Sequence, residues 1–145
     1  MTRFITLLAL LVLPFPLWAQ DTAPELETVR AGVHTLDEYQ WVSRPLVIFA
    51  DSPHDPRFIQ QMELLAQWPQ DLADRDVVVI TDTNPADKTP IRIDLRPRGF
   101  ALVLIGKDGA IYLRKPTPWH VRELTRSIDK MPIREQELLD MRSAQ

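Results

Sequence analysis

Cysteine is absent from this chain of 145 residues, and glycine is scarce, with 4 residues against 13 prolines. Without a thiol the chain cannot form disulfides, zinc–thiolate sites, iron–sulfur clusters, a thiolate nucleophile or a lipobox anchor. Neither glycine-rich phosphate-binding pattern, G-x-G-x-x-G or G-x-x-x-x-G-K-S/T, occurs in it. An excess of basic residues is missing too, because 17 lysines and arginines face 20 aspartates and glutamates. This balance argues against a dedicated nucleic-acid binder.

The first 19 residues have the pattern of a secretory signal peptide. Arg3 supplies a positive charge, residues 4–13 are apolar apart from Thr6, and Ala19 supplies a small residue at the cleavage position. A segment of ten residues forms a helix of only about 15 Å, roughly half of the hydrocarbon core, so an uncleaved membrane anchor is the weaker interpretation. We expect cleavage after Ala19, a periplasmic or secreted protein, and no integral membrane segment in the mature chain.

The remaining chain divides into a leader and one domain. Residues 20–33 lack a clear hydrophobic periodicity, which predicts a flexible leader. Residues 34–145 carry the hydrophobic patterns of one domain. Apolar runs predict buried strands at 46–50, 76–81 and 100–105.

The order of the predicted elements indicates the fold class. A helix after Asp55 joins the first two strands, which predicts a right-handed parallel β-α-β unit. The turn at residues 106–109 predicts a hairpin with a strand at 111–113, followed by a helix after Thr117 and a further C-terminal helix. This order predicts an α/β, thioredoxin-like domain around a mixed central sheet. Residues 90–97 alternate apolar and charged side chains between two prolines, which predicts a short edge strand.

Four sequence blocks, spanning roughly residues 36 to 137, resemble the signature of the DUF4174 family. The resemblance implies a domain that is usually exported in bacteria, has no determined function, and is similar to domains of vertebrate secreted extracellular-matrix proteins. It also implies a fold like that of thioredoxins and peroxiredoxins. The blocks are Leu36-x-x-Tyr39-x-Trp41-x-x-Arg44-Pro45-Leu46-Val47-Ile48-Phe49-Ala50, Arg75-Asp76-Val77-Val78-Val79-Ile80, Phe100-Ala101-Leu102-Val103-Leu104-Ile105-Gly106-Lys107-Asp108-Gly109 and Ile128-Asp129-x-Met131-Pro132.

The resemblance does not extend to thiol chemistry. Redox-active thioredoxin-like proteins place the attacking cysteine after the first core strand, where the N-terminus of the next helix stabilises a thiolate. The corresponding stretch here, residues 51–56, contains Ser52 and no cysteine. The position of the second hallmark, a cis-proline, is occupied by Ala101, where a cis bond would cost about 3 kcal/mol. Disulfide exchange by this chain is therefore excluded.

Polar side chains after the first predicted strand form a candidate ligand loop. It could bind a divalent cation or allow His54 to act as a base, but a metal site needs three or four convergent ligands. The simpler interpretation is structural, with Asp55 as the cap of the next helix. Ser52 with His54 falls short of a hydrolase because no orienting group and no G-x-S-x-G elbow is evident. We therefore predict no metal and no cofactor. The loop residues are Asp51, Ser52, His54 and Asp55.

Basic residues cluster in the C-terminal half and form a candidate anion patch. If residues 91–95 lie beside the hairpin, the patch lines one face and attracts sulfated or phosphorylated polymers. The resemblance to matrix proteins makes this a reasonable analogy. The alternative is that these charges only keep an exposed edge strand from aggregating. The patch residues are Arg92, Arg96, Arg98, Arg114 and Lys115.

These patterns favour an exported, cysteine-free domain that acts by binding rather than by covalent catalysis. Its expected partner is an envelope protein or an anionic polymer, and not a nucleic acid. The competing hypothesis is a metal-assisted or acid/base enzyme that uses Asp51, His54 and Asp55. The sequence does not indicate the oligomeric state.

Overall fold

A computed structural model describes residues 23–144 as one mixed sheet with helices on both faces. The order of the strands across the sheet is β1-β3-β2-β4-β5. Strands β1, β2 and β3 are parallel, whereas β4 runs antiparallel to β2, and β5 antiparallel to β4. The strands are β1 (Glu27–Arg30), β2 (Arg44–Phe49), β3 (Val77–Asp82), β4 (Ala101–Ile105) and β5 (Ile111–Lys115).

Apart from β1 and α3, the elements follow the order that the sequence predicts: β-α-β, then a β-hairpin, then a helix and a further C-terminal helix. Proline occupies the first turn of four of the five α-helices in the described residues. A proline is harmless there because its missing N–H would have no partner within the helix. The helices are α1 (Pro56–Gln67), α2 (Pro69–Ala73), α3 (Pro90–Leu95), α4 (Val121–Asp129) and α5 (Pro132–Ser143), with short 3-10 helices at Leu36–Tyr39 and Pro85–Asp87.

The central strand β2 is buried over its whole length. Side chains alternate between the two faces of a strand, so Leu46 and Ile48 enter one hydrophobic cluster and Val47 and Phe49 enter the other. Helices α1, α2 and α4 contribute to the first cluster, and α3 contributes to the second. Because both faces are covered, residues 46–49 of the strand form an unbroken apolar run.

Strand β1 lies within the segment that the sequence predicts as a flexible leader, so that prediction is wrong for residues 27–30. The strand pairs in parallel with β3, from Glu27 beside Val78 to Arg30 beside Thr81. Three of its four side chains are exposed. A strand that is held mainly by backbone hydrogen bonds to a neighbour leaves no hydrophobic periodicity to detect.

The predicted edge strand at 90–97 is also wrong, because residues 90–95 form helix α3. Thr89 caps this helix by accepting a hydrogen bond at 3.1 Å from the backbone N–H of Arg92. Ile91 and Leu95, one helical turn apart, are buried, whereas Ile93 is 59% exposed. Three apolar residues at a spacing of two fit both a strand and a short helix, and here the Thr-Pro start and the core contacts favour the helix.

An ionic cluster around Glu137 attaches α5 to the end of the sheet where β2 begins. The guanidinium of Arg44, which is completely buried, lies 3.0 Å from one carboxylate oxygen of Glu137. Arg134 lies 3.2 Å from the same oxygen, and the Lys107 ammonium lies 2.8 Å from the other. Glu137 thus supplies the negative charge that a buried arginine requires.

We expect Glu137→Gln to lower the free energy of unfolding at neutral pH. Burial alone raises the pKa of the Glu137 carboxyl. Hydrogen bonds from Lys107 and Arg134, together with the charge of Arg44, have the larger opposite effect, so the pKa lies below its ordinary value. The loss should be about 2 kcal/mol, less than the roughly 3–5 kcal/mol of a fully buried pair, because water partly screens this one. Urea unfolding of the wild type and the variant at pH 7 measures this loss of stability.

The pH dependence follows from the lowered pKa. The carboxylate stabilises the fold fully above its ordinary pKa, and this contribution is lost as the pH falls through the lower folded-state value. The difference between the wild type and Glu137→Gln should therefore shrink in acid. Glu135→Gln, an exposed change in the first turn of the same helix, is the control and should lower stability by no more than about 0.5 kcal/mol. Equal stability of all three proteins at pH 7 would contradict the role of Glu137.

Candidate functional site

Both predicted groups of site residues lie at the same end of the sheet. Strands β1, β2 and β3 have their carboxyl ends there, and the antiparallel β4 begins there, with Ala101 beside Phe49. Strand β5 ends there, with Lys115 beside Leu102. The carboxyl ends of parallel strands are where open α/β folds bind ligands, so this end of the sheet holds the candidate site.

The side chains of the candidate ligand loop hold the loop together. The Ser52 hydroxyl accepts a hydrogen bond at 3.1 Å from the backbone N–H of His54. Asp55 caps α1 by accepting from the backbone N–H of Arg57 at 2.9 Å, and its carboxylate also lies 2.9 Å from the Arg57 guanidinium. The hydrogen bonds from Arg57 lower the pKa of Asp55. The structural interpretation of the loop therefore accounts for Ser52 and Asp55.

The loop does not form a catalytic arrangement. Its serine contacts the backbone of His54, and the structure shows no hydrogen bond between the serine hydroxyl and the imidazole. His54 itself is exposed. Nowhere in residues 23–144 do three histidine, aspartate or glutamate side chains approach closely enough to share a metal ion. The geometry therefore gives no support to the hydrolase or metal-assisted alternatives.

Arg92, one of the five residues of the predicted anion patch, is bound within the fold. Its guanidinium lies 2.7 Å from the carboxylate of Asp82, whose side chain is only 2% exposed. It also donates to the backbone carbonyls of Asp82 at 3.0 Å and Ala50 at 3.1 Å. Thr89 completes the arrangement, since its hydroxyl donates to Asp82 at 2.6 Å. Arg92 fixes α3 against the ends of β2 and β3, and its Nε and one of its two terminal nitrogens are bonded within the fold.

The other four patch residues line one open groove. Its volume is about 520 Å³, and no carboxylate lines it. The groove lies between the end of α3 and the adjoining ends of β4 and β5. Leu95, Phe100, Ala101 and Pro116 form its apolar surface. We call this cavity the basic groove; its cations are Arg96, Arg98, Arg114 and Lys115.

Backbone and aromatic contacts hold two of the four cations, Arg114 and Lys115, in place. The Arg114 guanidinium donates to the carbonyl of Leu95 at 2.8 Å, which joins β5 to the end of α3. Arg96 ends α3 in the left-handed region at φ 46°. The Lys115 ammonium lies 4.5 Å from the centre of the Trp119 ring, within the range of a cation–π contact. Among the described residues, no carboxylate forms a salt bridge with any of the four cations of the basic groove.

Sequence reasoning missed the apolar lining of the groove. The sequence predicts Phe100 and Ala101 as the start of a buried strand, with Ala101 at the position of the cis-proline, and neither interpretation predicts that they line a groove. Both stand where β4 begins, at the end of the sheet. Sequence reasoning also missed a cavity of about 650 Å³ between the ends of β1 and β3 and the loop at Asp51. That cavity includes Arg30 and Gly32 in its lining, and it was not foreseeable without strand β1.

A family comparison covers most of the chain. The family model described as "Domain of unknown function (DUF4174)" matches residues 35–137. The chain belongs to the DUF4174 family. This confirms the resemblance of the four sequence blocks, and the matched range includes β2 through α4 with both predicted site regions. No curated protein matches this DUF4174 chain.

One similar solved structure shows the fold of the DUF4174 chain. The reduced 2-Cys peroxiredoxin of Plasmodium vivax is 16% identical, with 70% of this chain and 84% of the peroxiredoxin covered at a TM-score of 0.54. The mitochondrial 2-Cys peroxiredoxin of Plasmodium falciparum is also 16% identical, with 65% and 78% covered at a TM-score of 0.44. The first likeness and the strand order confirm the thioredoxin-like fold. Within residues 23–144 no helix is long and apolar enough to span a membrane.

We expect Arg92→Ala to destabilise the protein by about 3 kcal/mol, because it leaves the buried carboxylate of Asp82 without its counter-charge. Arg98→Ala removes an equal charge from an exposed site and should change stability by no more than about 0.5 kcal/mol. Urea unfolding of both variants at pH 7 makes the comparison. Similar unfolding curves would show that Arg92 is not a structural residue.

Proposed function

We propose that this DUF4174 protein is an exported, non-thiol binding domain whose basic groove holds an anionic group of its ligand. The observation that supports this proposal is the convergence of four cations on one cavity that no carboxylate lines. The chain as a whole has a net charge of −3, so the local positive charge does not reflect a generally basic surface.

The chemistry of the groove suits an anion. Arginine presents a planar array of donors that matches carboxylate, phosphate and sulfate oxygens in a bidentate way. Neighbouring cations repel one another, and a bound anion offsets that repulsion. Arg96 and Arg98 are exposed, so a ligand can reach both without a change in the fold.

Binding without covalent catalysis fits the remaining groups at this end of the sheet. The chain has no cysteine, and the side chains of Ser52 and Asp55 are bonded within their own loop. Catalysis by a serine or a histidine would need a base and an orienting partner in contact. The geometry of this loop therefore suits a binding domain better than an enzyme that uses a serine or a histidine.

The test uses a sulfated matrix and two double variants of equal charge. Arg96→Ala/Arg98→Ala should elute from heparin resin at clearly lower salt than the wild type, because surface cations supply salt-dependent attraction. Arg122→Ala/Arg126→Ala removes two exposed arginines from α4 and should elute close to the wild type. Equal shifts for the two variants, or flow-through of the wild type at low salt, would overturn the proposed groove.

Export is part of the same proposal and rests on the sequence of residues 1–19, which lie outside the described residues. We expect the protein recovered from the bacterial envelope or medium to begin at Gln20, as N-terminal sequencing can show. Ala19→Arg should block cleavage, because the enzyme that removes signal peptides requires a small residue at that position. Recovery of the wild type in the cytoplasm with Arg3 retained would contradict export.

A further inference from the structure

A second cavity lies where the connections of two neighbouring strands leave the sheet on opposite faces. After β2 the chain continues into α1 and α2, which pack on the first hydrophobic cluster, whereas after β3 it continues into α3, which packs on the second. Open α/β sheets bind ligands in the crevice between two such strand ends. The cavity of about 650 Å³ opens there, and its lining includes residues 30–32, 51–53 and 81–84. We call it the switch-point cavity; the basic groove lies on the other side of β2.

Hydrogen bonds fix the walls of the switch-point cavity. The backbone N–H of Ala31 donates to the carbonyl of Thr81 at 2.9 Å and joins the end of β1 to β3. The N–H of Ala50 donates to the carbonyl of Asp82 at 2.9 Å and joins the end of β2 to β3. The Thr89 hydroxyl donates to the Asp82 carboxylate at 2.6 Å and holds the far end of the loop that follows β3. The cavity is therefore pre-formed, and its volume lies within the roughly 300–1,000 Å³ of small-molecule sites.

Charged side chains of both signs are accessible at the switch-point cavity. Arg30, Asp51 and Asp87 belong to its lining and are exposed. Residues 23–144 offer none of these three side chains a salt-bridge partner. Asp82 also lines the cavity, but it is buried and already paired with Arg92. The accessible charges of the lining are therefore one cation and two anions.

The cation and the acids stand on different sides of the switch-point cavity. Arg30 ends β1, Asp51 lies two residues beyond the end of β2, and β3 separates these two strands. Two strand spacings of about 4.8 Å place the ends of β1 and β2 roughly 10 Å apart. Asp87 lies in the 3-10 helix that follows β3. Asp51 also borders the surface beside Arg57, but that guanidinium pairs with the next acid of the loop instead.

This distribution of charge distinguishes between classes of ligand. A simple anion would be repelled by the two carboxylates, and a simple cation would be repelled by Arg30. A zwitterion pairs with both signs at once, and hydrogen bonds between ionised groups are stronger than neutral ones. The lining therefore favours a ligand that carries a positive charge at one end and a negative charge at the other.

We infer that the switch-point cavity binds a small zwitterion of short-peptide size, with its carboxylate at Arg30 and its ammonium group at Asp51 and Asp87. A tripeptide has a suitable length, because three extended residues span about 10 Å. This site is separate from the basic groove, so either proposal can fail without the other.

The test is a titration of the isotope-labelled protein with triglycine, followed through the chemical shifts of its backbone amides. Saturable shifts at millimolar peptide should centre on residues 30–32, 51–53 and 81–87. N-acetyl-triglycine lacks the ammonium group, and triglycine amide lacks the carboxylate. Each blocked peptide should bind about tenfold more weakly than triglycine, because each loses a charge-assisted contact.

Variants of the lining test the same contacts from the side of the protein. Arg30→Gln should weaken the affinity for triglycine about tenfold, and Asp51→Asn/Asp87→Asn should weaken it by at least as much. All three side chains are exposed, so these changes should leave the fold intact, and the amide spectrum of each variant shows whether it is folded.

The controls remove exposed charges of the same sign from other parts of the surface. Arg122→Gln on α4 and Glu63→Gln/Asp94→Asn on α1 and α3 should bind triglycine as the wild type does. Equal weakening in the control and lining variants would overturn the inference, as would equal affinity for the blocked peptides or the lack of saturable shifts at the cavity.

A further variant separates the two sites. If the affinity for triglycine falls in Arg96→Ala/Arg98→Ala but not in Arg30→Gln, the peptide binds in the basic groove. The inference then fails, while the heparin test of the proposed function keeps its meaning. Saturable shifts at the switch-point cavity that need both ends of the peptide and both signs of the lining support the inference, whatever the outcome with heparin.

Discussion

The ion pair between Asp82 and Arg92 is the interaction on which the candidate site depends. Asp82 ends β3 with its side chain almost completely buried, and Arg92 joins it to the carbonyl of Ala50 after β2. This pair fixes α3, and the end of α3 supplies Leu95 and Arg96 to the basic groove. The charge of one patch arginine is thus used inside the protein, and its contacts position residues that a ligand can reach.

The sequence predicts the fold well because the main strands are buried on both faces. Their apolar runs, the turn at Gly109 and the capped helices identify the thioredoxin-like order without a tertiary model. Strand β1 and helix α3 escape this reasoning for different reasons. β1 has four residues that are held largely by backbone hydrogen bonds. Helix α3 is so short that its apolar residues at 91, 93 and 95 fit the alternation of a strand as well as one turn of a helix. Four of the five patch cations were identifiable from their place beside the hairpin, but the pairing of Arg92 with a carboxylate ten residues earlier is a tertiary contact.

Basic side chains have different partners at the two ends of the sheet. At the end where β2 begins, Arg44 and Lys107 meet the carboxylate of Glu137, which attaches the C-terminal helix. At the other end, Arg96 and Arg98 stand without a salt bridge among the described residues. The first arrangement stabilises the fold and the second leaves an attraction for a ligand. Positive charge therefore has a structural use at both ends, since Arg92 pairs with Asp82 beside the groove, and a proposed functional use only at the groove end.

The prolines at the starts of four helices have a consequence for how the chain keeps its stability. A proline whose native backbone angle suits its ring restricts the unfolded chain and stabilises the folded state by about 0.4–1 kcal/mol. Disulfides in exported proteins act on the unfolded chain in the same sense, but reductants remove them. Pro56, Pro69, Pro90 and Pro132 restrict this chain through permanent rings. Because the chain has no cysteine, this contribution to its folding equilibrium is independent of the thiol redox potential of its surroundings.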